Sequence, residues 1–150
     1  MTSRTSQSSA ATRNSFEFAG DFLSQINRER NGIPTSEAEA LRRAMALSVE
    51  QYAPLLGMKP ATYKHRRARR VRIDGAPGYA ISDLENMLRK IDRLVSPDVG
   101  RFDSAHWFAG WIERPQAALG GLTPAALLDT PVGRQMVGRL LGAMGSGVYL

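Results

Sequence analysis

The sequence predicts an all-α protein, and three observations carry that reading. Apolar residues recur at the spacing of one helix face through most of the 150-residue chain. Ser, Thr and Asp stand ahead of those stretches, where their side chains can accept from the free N–H groups of a first helical turn. No stretch sustains the strict alternation of a sheet strand. About eight helices result, read as N-terminal helices plus a helix-turn-helix region, followed by a small helical C-terminal domain. The boundary is expected near residues 96–102.

Residues 1–14 are Ser, Thr, Ala and Arg without periodicity and are expected to be disordered. Residues 15–46 hold the N-terminal helices. The first carries Phe18, Ala19, Phe22, Leu23 and Ile26 and ends near Gly32. Its aromatics, Phe16, Phe18 and Phe22, need cover from the core or from a second copy of the chain, so 15–46 is a candidate dimerisation region. Ser36 and Glu39 read as a capping box for the next helix, which carries Ala38, Leu41 and Met45.

Residues 47–95 open on a second box, Ser48 with Gln51, ahead of Val49, Tyr52, Ala53 and Leu56. Pro54 removes a backbone donor close to the end of this helix, where a tight or kinked last turn absorbs the loss. Gly57 ends it, and Pro60 suits the first position of the next. Val71 to Ile81 surrounds Asp74-Gly75-Ala76-Pro77-Gly78 and reads equally as a loop or a small β-ribbon. Ser82 and Glu85 form a third box before the stripe Leu84, Met87, Leu88, Ile91, Leu94 and Val95, closed by Pro97 and Gly100.

In residues 96–150, Asp103 caps a helix with Trp107, Phe108, Trp111 and Ile112, which Arg114-Pro115 ends. The two Trp are one turn apart; the commoner role of such a pair is core, the alternative a partner anchor. Two Thr-Pro pairs, Thr123-Pro124 and Thr130-Pro131, each mark a helix start. The second opens the stripe Val132, Met136, Val137, Leu140 and Leu141. Gly120-Gly121 has no basic residue beside it, which favours a structural turn over a phosphate cradle. The chain then runs Gly145-Ser146-Gly147-Val148-Tyr149-Leu150, an apolar tip on glycines, poor core material and suited to insertion elsewhere.

Composition narrows the chemistry. A hydrophobic content of 43% supports a buried core. No apolar run approaches the ~18 residues of a membrane span, and no signal-peptide core is present, so a cytoplasmic protein without membrane contact is expected. Zero cysteines exclude disulfides, thiolate metal sites and a Cys nucleophile, and only His65 and His106 remain for a His-based site. No catalytic set, metal site or cofactor motif is expected, and the chain does not read as an enzyme.

The net charge of +6 is concentrated in residues 59–72, where Lys59, Lys64, Arg66, Arg67, Arg69, Arg70 and Arg72 stand with no acid among them. A focused patch of this kind is the footprint of a polyanion partner. It lies on the second helix of a helix–Gly57–helix pair in which Ala53 is the small contact residue and Met58 and Tyr63 are apolar anchors. That pattern fits a helix-turn-helix for double-stranded operator DNA. Lys59, Thr62, Lys64 and His65 would lie nearest the bases. Arg66, Arg67, Arg69 and Arg70 would hold phosphates, with Arg66 or Arg67 able to fork onto a guanine. Such repressors commonly pair as dimers.

From about Leu47 to Leu150 the chain resembles the Xre/MbcA/ParS-type antitoxins of bacterial type II toxin–antitoxin pairs, whose partners are RES-domain toxins. The resemblance rests on Leu55-Leu56-Gly57 before the basic helix and on the Trp-rich helix followed by Pro115. Its most specific part is Ala118-Leu119-Gly120-Gly121-Leu122-Thr123-Pro124, then Leu127-Leu128-Asp129-Thr130, Gly133, Leu140-Leu141 and Gly147-Val148-Tyr149. It implies a C-terminal domain that blocks the NAD pocket of a toxin that consumes NAD or ADP-ribosylates a target. It also implies repression of the chain's own operon. Gly145, Ser146, Gly147, Val148, Tyr149 and Leu150 would then lie at the toxin's cleft, with Trp107 and Trp111 as candidate toxin contacts. Lys59, Pro54 and the long 71–81 segment depart from the family pattern. The alternative is a stand-alone transcription regulator whose C-terminal domain binds another protein.

Overall fold

The computed structural model describes residues 22–95 and 97–146. Among them the fold is all-helical. Helix α1 is described across residues 22–31, followed by α2 (Thr35–Ala44), α3 (Val49–Leu55), α4 (Pro60–Arg69), α5 (Gly75–Leu94), α6 (Ser104–Trp111) and α7 (Pro131–Gly145). Short 3-10 turns occur at Pro97–Val99, Ala117–Leu119 and Pro124–Leu127. The expectations for residues 1–14, for Phe16, Phe18 and Ala19, and for Gly147 to Leu150 fall outside the described residues.

Several helix starts are set by the side chains that the sequence singles out. Ser48 Oγ accepts from the Gln51 N–H at 3.2 Å while Gln51 Oε1 accepts from the Ser48 N–H at 3.0 Å, a complete capping box. Asp103 caps α6 through the His106 N–H, and Thr130 caps α7 through the Gly133 N–H, both at 3.0 Å. Caps of this kind contribute about 1 kcal/mol each. Thr123 caps a single 3-10 turn, shorter than the helix expected there. Gly120 and Gly121, with φ of 66° and 84°, form the structural turn.

Three local expectations are overturned. Ser36 is not a cap: α2 starts one residue earlier, after Pro34, because Ile33 is pinned in an antiparallel bridge to Ile73 and Pro34 sets the entry. The Glu39 carboxylate is drawn to Arg42 instead. The segment 71–81 is neither a loop nor a ribbon throughout, since Ile73 pairs with distant Ile33 and α5 begins at Gly75. Pro77 fits there because first-turn N–H groups have no helical acceptor to lose. Ser82 and Glu85 therefore lie inside α5 and cap nothing.

One buried cluster runs from Ile33 to Leu141. Helix α5 is its axis: Ala80, Ile81, Leu84, Met87 and Ile91 are buried, and α5 packs on both α6 and α7. The core thus continues across the expected boundary near residues 96–102. Helix α7 is rotated relative to the stripe read from sequence. Gly133, Arg134, Val137, Leu140 and Leu141 face inward, whereas Val132 is 67% and Met136 44% exposed. The reason is Gly133, which sits so close to the Leu127 carbonyl that a Cβ would stand 1.7 Å from its oxygen. Arg134 follows it inward, donating to Asp83 at 2.8 Å and to the Leu128 carbonyl at 3.0 Å. Those bonds satisfy a guanidinium that would otherwise be costly to bury.

Candidate functional site

The basic segment is presented by α3, the turn and α4. Gly57 adopts φ +69°, a conformation that costs glycine least, and the Met58 N–H closes the turn on the Ala53 carbonyl at 3.0 Å. Ala53, Met58 and Tyr63 are buried, the three positions expected to join the two helices. Tyr52 and Tyr63 meet edge to face with centroids 5.6 Å apart, a geometry worth about 0.5–1.5 kcal/mol beyond area burial. Burying Tyr63 leaves Lys59, Thr62, Lys64, His65, Arg69 and Arg70 exposed on α4 and its ends, with Arg66 and Arg67 half-buried.

The segment contains no acid, but the fold brings acids to it. Lys64 pairs with Glu50 at 2.6 Å, Arg66 with Asp74 at 3.0 Å and Arg67 with Glu39 at 3.4 Å. Arg72 donates to the carbonyls of Asn31 and Gly32. Sequence reasoning missed these pairings because they join residues up to 41 positions apart. Among the described residues Lys59, Arg69 and Arg70 have no side-chain hydrogen bond or ion pair, so their charge is fully available to a partner.

Glu39 organises the junction of α2 with α4. Its buried carboxylate accepts from Arg42 Nε and Nη2 at 2.9 and 2.8 Å and from the Tyr63 hydroxyl at 2.8 Å. The Arg42 bonds, then the Tyr63 hydroxyl and the charges of Arg42 and Arg67, hold its pKa at about 2 against the opposing effect of burial. Burial, and after it the hydrogen bond to the same carboxylate, pushes the Tyr63 phenol well above its ordinary range. Tyr63 is therefore an uncharged hydrogen-bonding strut for the basic helix.

The second candidate surface lies on the C-terminal helices. Trp111 is 3% exposed and is a core residue, which leaves almost none of its surface for a partner. Trp107 is half-buried and stacks on it, centroids 5.8 Å apart, with Phe102 on its far side at 6.2 Å. Gly145 is the last residue of α7 and Ser146 its cap, so the helix extends into the run expected to be a glycine hinge. Val132 and Met136 lie on the outward face of α7, and Leu122 is 52% exposed. These exposed apolar residues are the functional candidates that sequence periodicity missed. The tight approach at Gly133 accompanies the outward turn of Val132 and Met136, while Val137, Leu140 and Leu141 stay buried. No helix among the described residues is long and apolar enough to cross a membrane.

Residues 101–147 match the family model of the antitoxin Xre/MbcA/ParS C-terminal toxin-binding domain. The chain is 25% identical over 129 residues to a Sphingobium sp. (strain YBL2) protein named Prs ADP-ribosylating antitoxin, covering 85% of this chain and 81% of that one. Its fold is similar to a chain in the crystal structure of the M. tuberculosis MbcT–MbcA toxin–antitoxin complex. There the TM-score is 0.54 at 19% identity, over 77% of this chain and 96% of the other. The resemblance drawn from the sequence is thereby borne out, and its most specific string lies within the matched residues as far as Gly147.

Proposed function

We propose that the chain is the antitoxin of a type II toxin–antitoxin pair, binding a RES-domain toxin through its C-terminal region and DNA through α3 and α4. The single observation that carries toxin binding is the match of residues 101–147 to a toxin-binding domain. The exposed Val132 and Met136 on α7 supply apolar contact there. Burying the part of each still exposed would contribute about 1–2 kcal/mol. The run from Gly145 to Leu150 enters the toxin's NAD pocket, where Val148, Tyr149 and Leu150 add apolar and aromatic contact of the kind that dominates interface energy. Helices α6 and α7 share the binding, because ordering a glycine-rich segment costs about 1–2 kcal/mol per residue. The chain itself performs no catalysis in this reading and carries no cofactor.

The α3–α4 pair works as a helix-turn-helix that represses the operon, with Lys59, Thr62 and His65 toward the bases and Arg69 and Arg70 on phosphates. Lys64, Arg66 and Arg67 add to the field while anchored to Glu50, Asp74 and Glu39. Phe22 and Leu23, 59% and 60% exposed on α1, are the surface through which two copies pair in the cytoplasm. The DNA role is tested by gel retention of the promoter fragment. Lys59→Ala with Arg69→Ala weakens retention while co-purification with the neighbouring reading frame's product is preserved. Loss of both would mean that the two surfaces are not separate. A chain that never co-purifies with that product yet retains the promoter is the stand-alone regulator instead.

A further inference from the structure

Beside the α3–α4 pair, where the end of α4 meets the start of α2, lies a pocket of about 580 Å³. Arg43, Arg67, Arg70 and Arg72 line it, converging from three parts of the chain: α2, α4 and the segment after α4. Glu39 also lines it, but its carboxylate is already saturated by Arg42 and Tyr63 deeper in the fold. Arg43 reaches it only at 3.9 Å, with its side chain 76% exposed. Arg70 adopts φ +53° and has no side-chain partner among the described residues. Arg72 is held in place by the Asn31 and Gly32 carbonyls. Thr35 also lines the pocket, and its hydroxyl makes no side-chain hydrogen bond among the described residues.

We infer that this pocket is a seat for one backbone phosphate of duplex DNA, at the C-terminal end of the recognition helix and beside its base-facing residues. The inference rests on the DNA-binding reading of α4. Four guanidinium groups leave the pocket strongly positive, because the one acid in its lining is neutralised from behind. Planar guanidinium forks suit phosphate oxygens in a way that a point charge does not. The Thr35 hydroxyl, on the pocket lining, supplies a neutral donor. Arg72, fixed by two carbonyls, and Arg67, tied to Glu39, are pre-positioned walls; Arg43 and Arg70 are the movable pair that closes on the phosphate. A phosphate contact fixes register and carries no sequence information. The seat therefore strengthens binding equally on the operator and on unrelated duplex, and orients α4 from the side.

The test uses the full chain, fluorescence anisotropy with a duplex of its promoter region and an unrelated duplex, and a series of salt concentrations. Arg43→Ala and Arg70→Asn are the variants, since Arg43 makes only one long ion-pair contact in the fold and Asn tolerates positive φ. Circular dichroism melts check that both remain folded. The double variant is expected to bind both duplexes about tenfold or more weakly at 0.1 M salt, with the salt slope reduced by roughly 0.9, the contribution of one lost phosphate contact. Thr35→Val weakens binding without changing the slope. A double variant with unchanged slope and affinity overturns the seat and with it the phosphate role of Arg70, while leaving DNA binding through Lys59, Thr62, His65 and Arg69 intact. If the wild-type chain shows no salt-dependent duplex binding, both readings fall. If inorganic phosphate stabilises the wild type and not the double variant, while duplex binding is identical in the two, the pocket is a free-anion site and the inference is wrong.

Discussion

Glu39 shows how much one side chain decides in this protein. Its pKa of about 2 lies below the ordinary 4.5, so its stabilisation is complete above pH 4.5 and lost as the pH falls toward 2. The shift corresponds to about 3 kcal/mol of unfolding free energy. Glu39→Gln is expected to destabilise the chain by a similar amount at pH 7, measured by chemical denaturation, because Arg42 loses its anion and the Tyr63 hydroxyl exchanges a charged acceptor for a neutral amide oxygen. The gap between wild type and variant should close as the pH is lowered through that window. A gap that stays constant would mean that Glu39 is not the acid-sensitive strut described above. Gly133 is decisive in another way. Gly133→Ala would place a methyl 1.7 Å from the Leu127 oxygen, which backbone shifts must relieve at a cost of about 3 kcal/mol. A thermal melt checks this, and an unchanged midpoint would refute the close approach.

The elements divide by how local their causes are. Helices α3, α6 and α7 start where the sequence places them, because a cap needs only a side chain and an N–H two or three residues on. The turn at Gly57 was legible for the same reason. The start of α5 was not, because Ile73 takes its partner from Ile33, forty positions away, and the segment's Gly and Pro content imitates a loop. Periodicity found α7 and three of its buried residues, Val137, Leu140 and Leu141, but put Val132 and Met136 with them, since the close approach of the Leu127 carbonyl to Gly133 leaves no local signal. The charged segment was legible as a patch. The acids that tie down Lys64, Arg66 and Arg67 were not, because ion pairs between separate elements leave no local signal. The outward face of α7 carries its own prediction. Val132→Asp with Met136→Asp should leave the melting temperature within a few degrees of wild type, because both side chains are exposed. A large drop would mean that this face is packed.

At the scale of the whole molecule, α5 is the shared backbone of both surfaces. It follows the basic helix and packs against α6 and α7, and Asp83 on α5 holds Arg134 of α7. One continuous core therefore carries a positive face at α4 and an apolar face at α7, so one chain can serve two different partners. The central claim is that the α7 face and the residues after it hold a toxin. The most direct measurement is growth of cells expressing the neighbouring reading frame's product together with this chain. The wild-type chain should restore growth and co-purify with that product, while Val132→Asp with Met136→Asp, still folded and still retaining promoter DNA, should do neither. Restoration of growth by the double variant at the wild-type level would contradict the account.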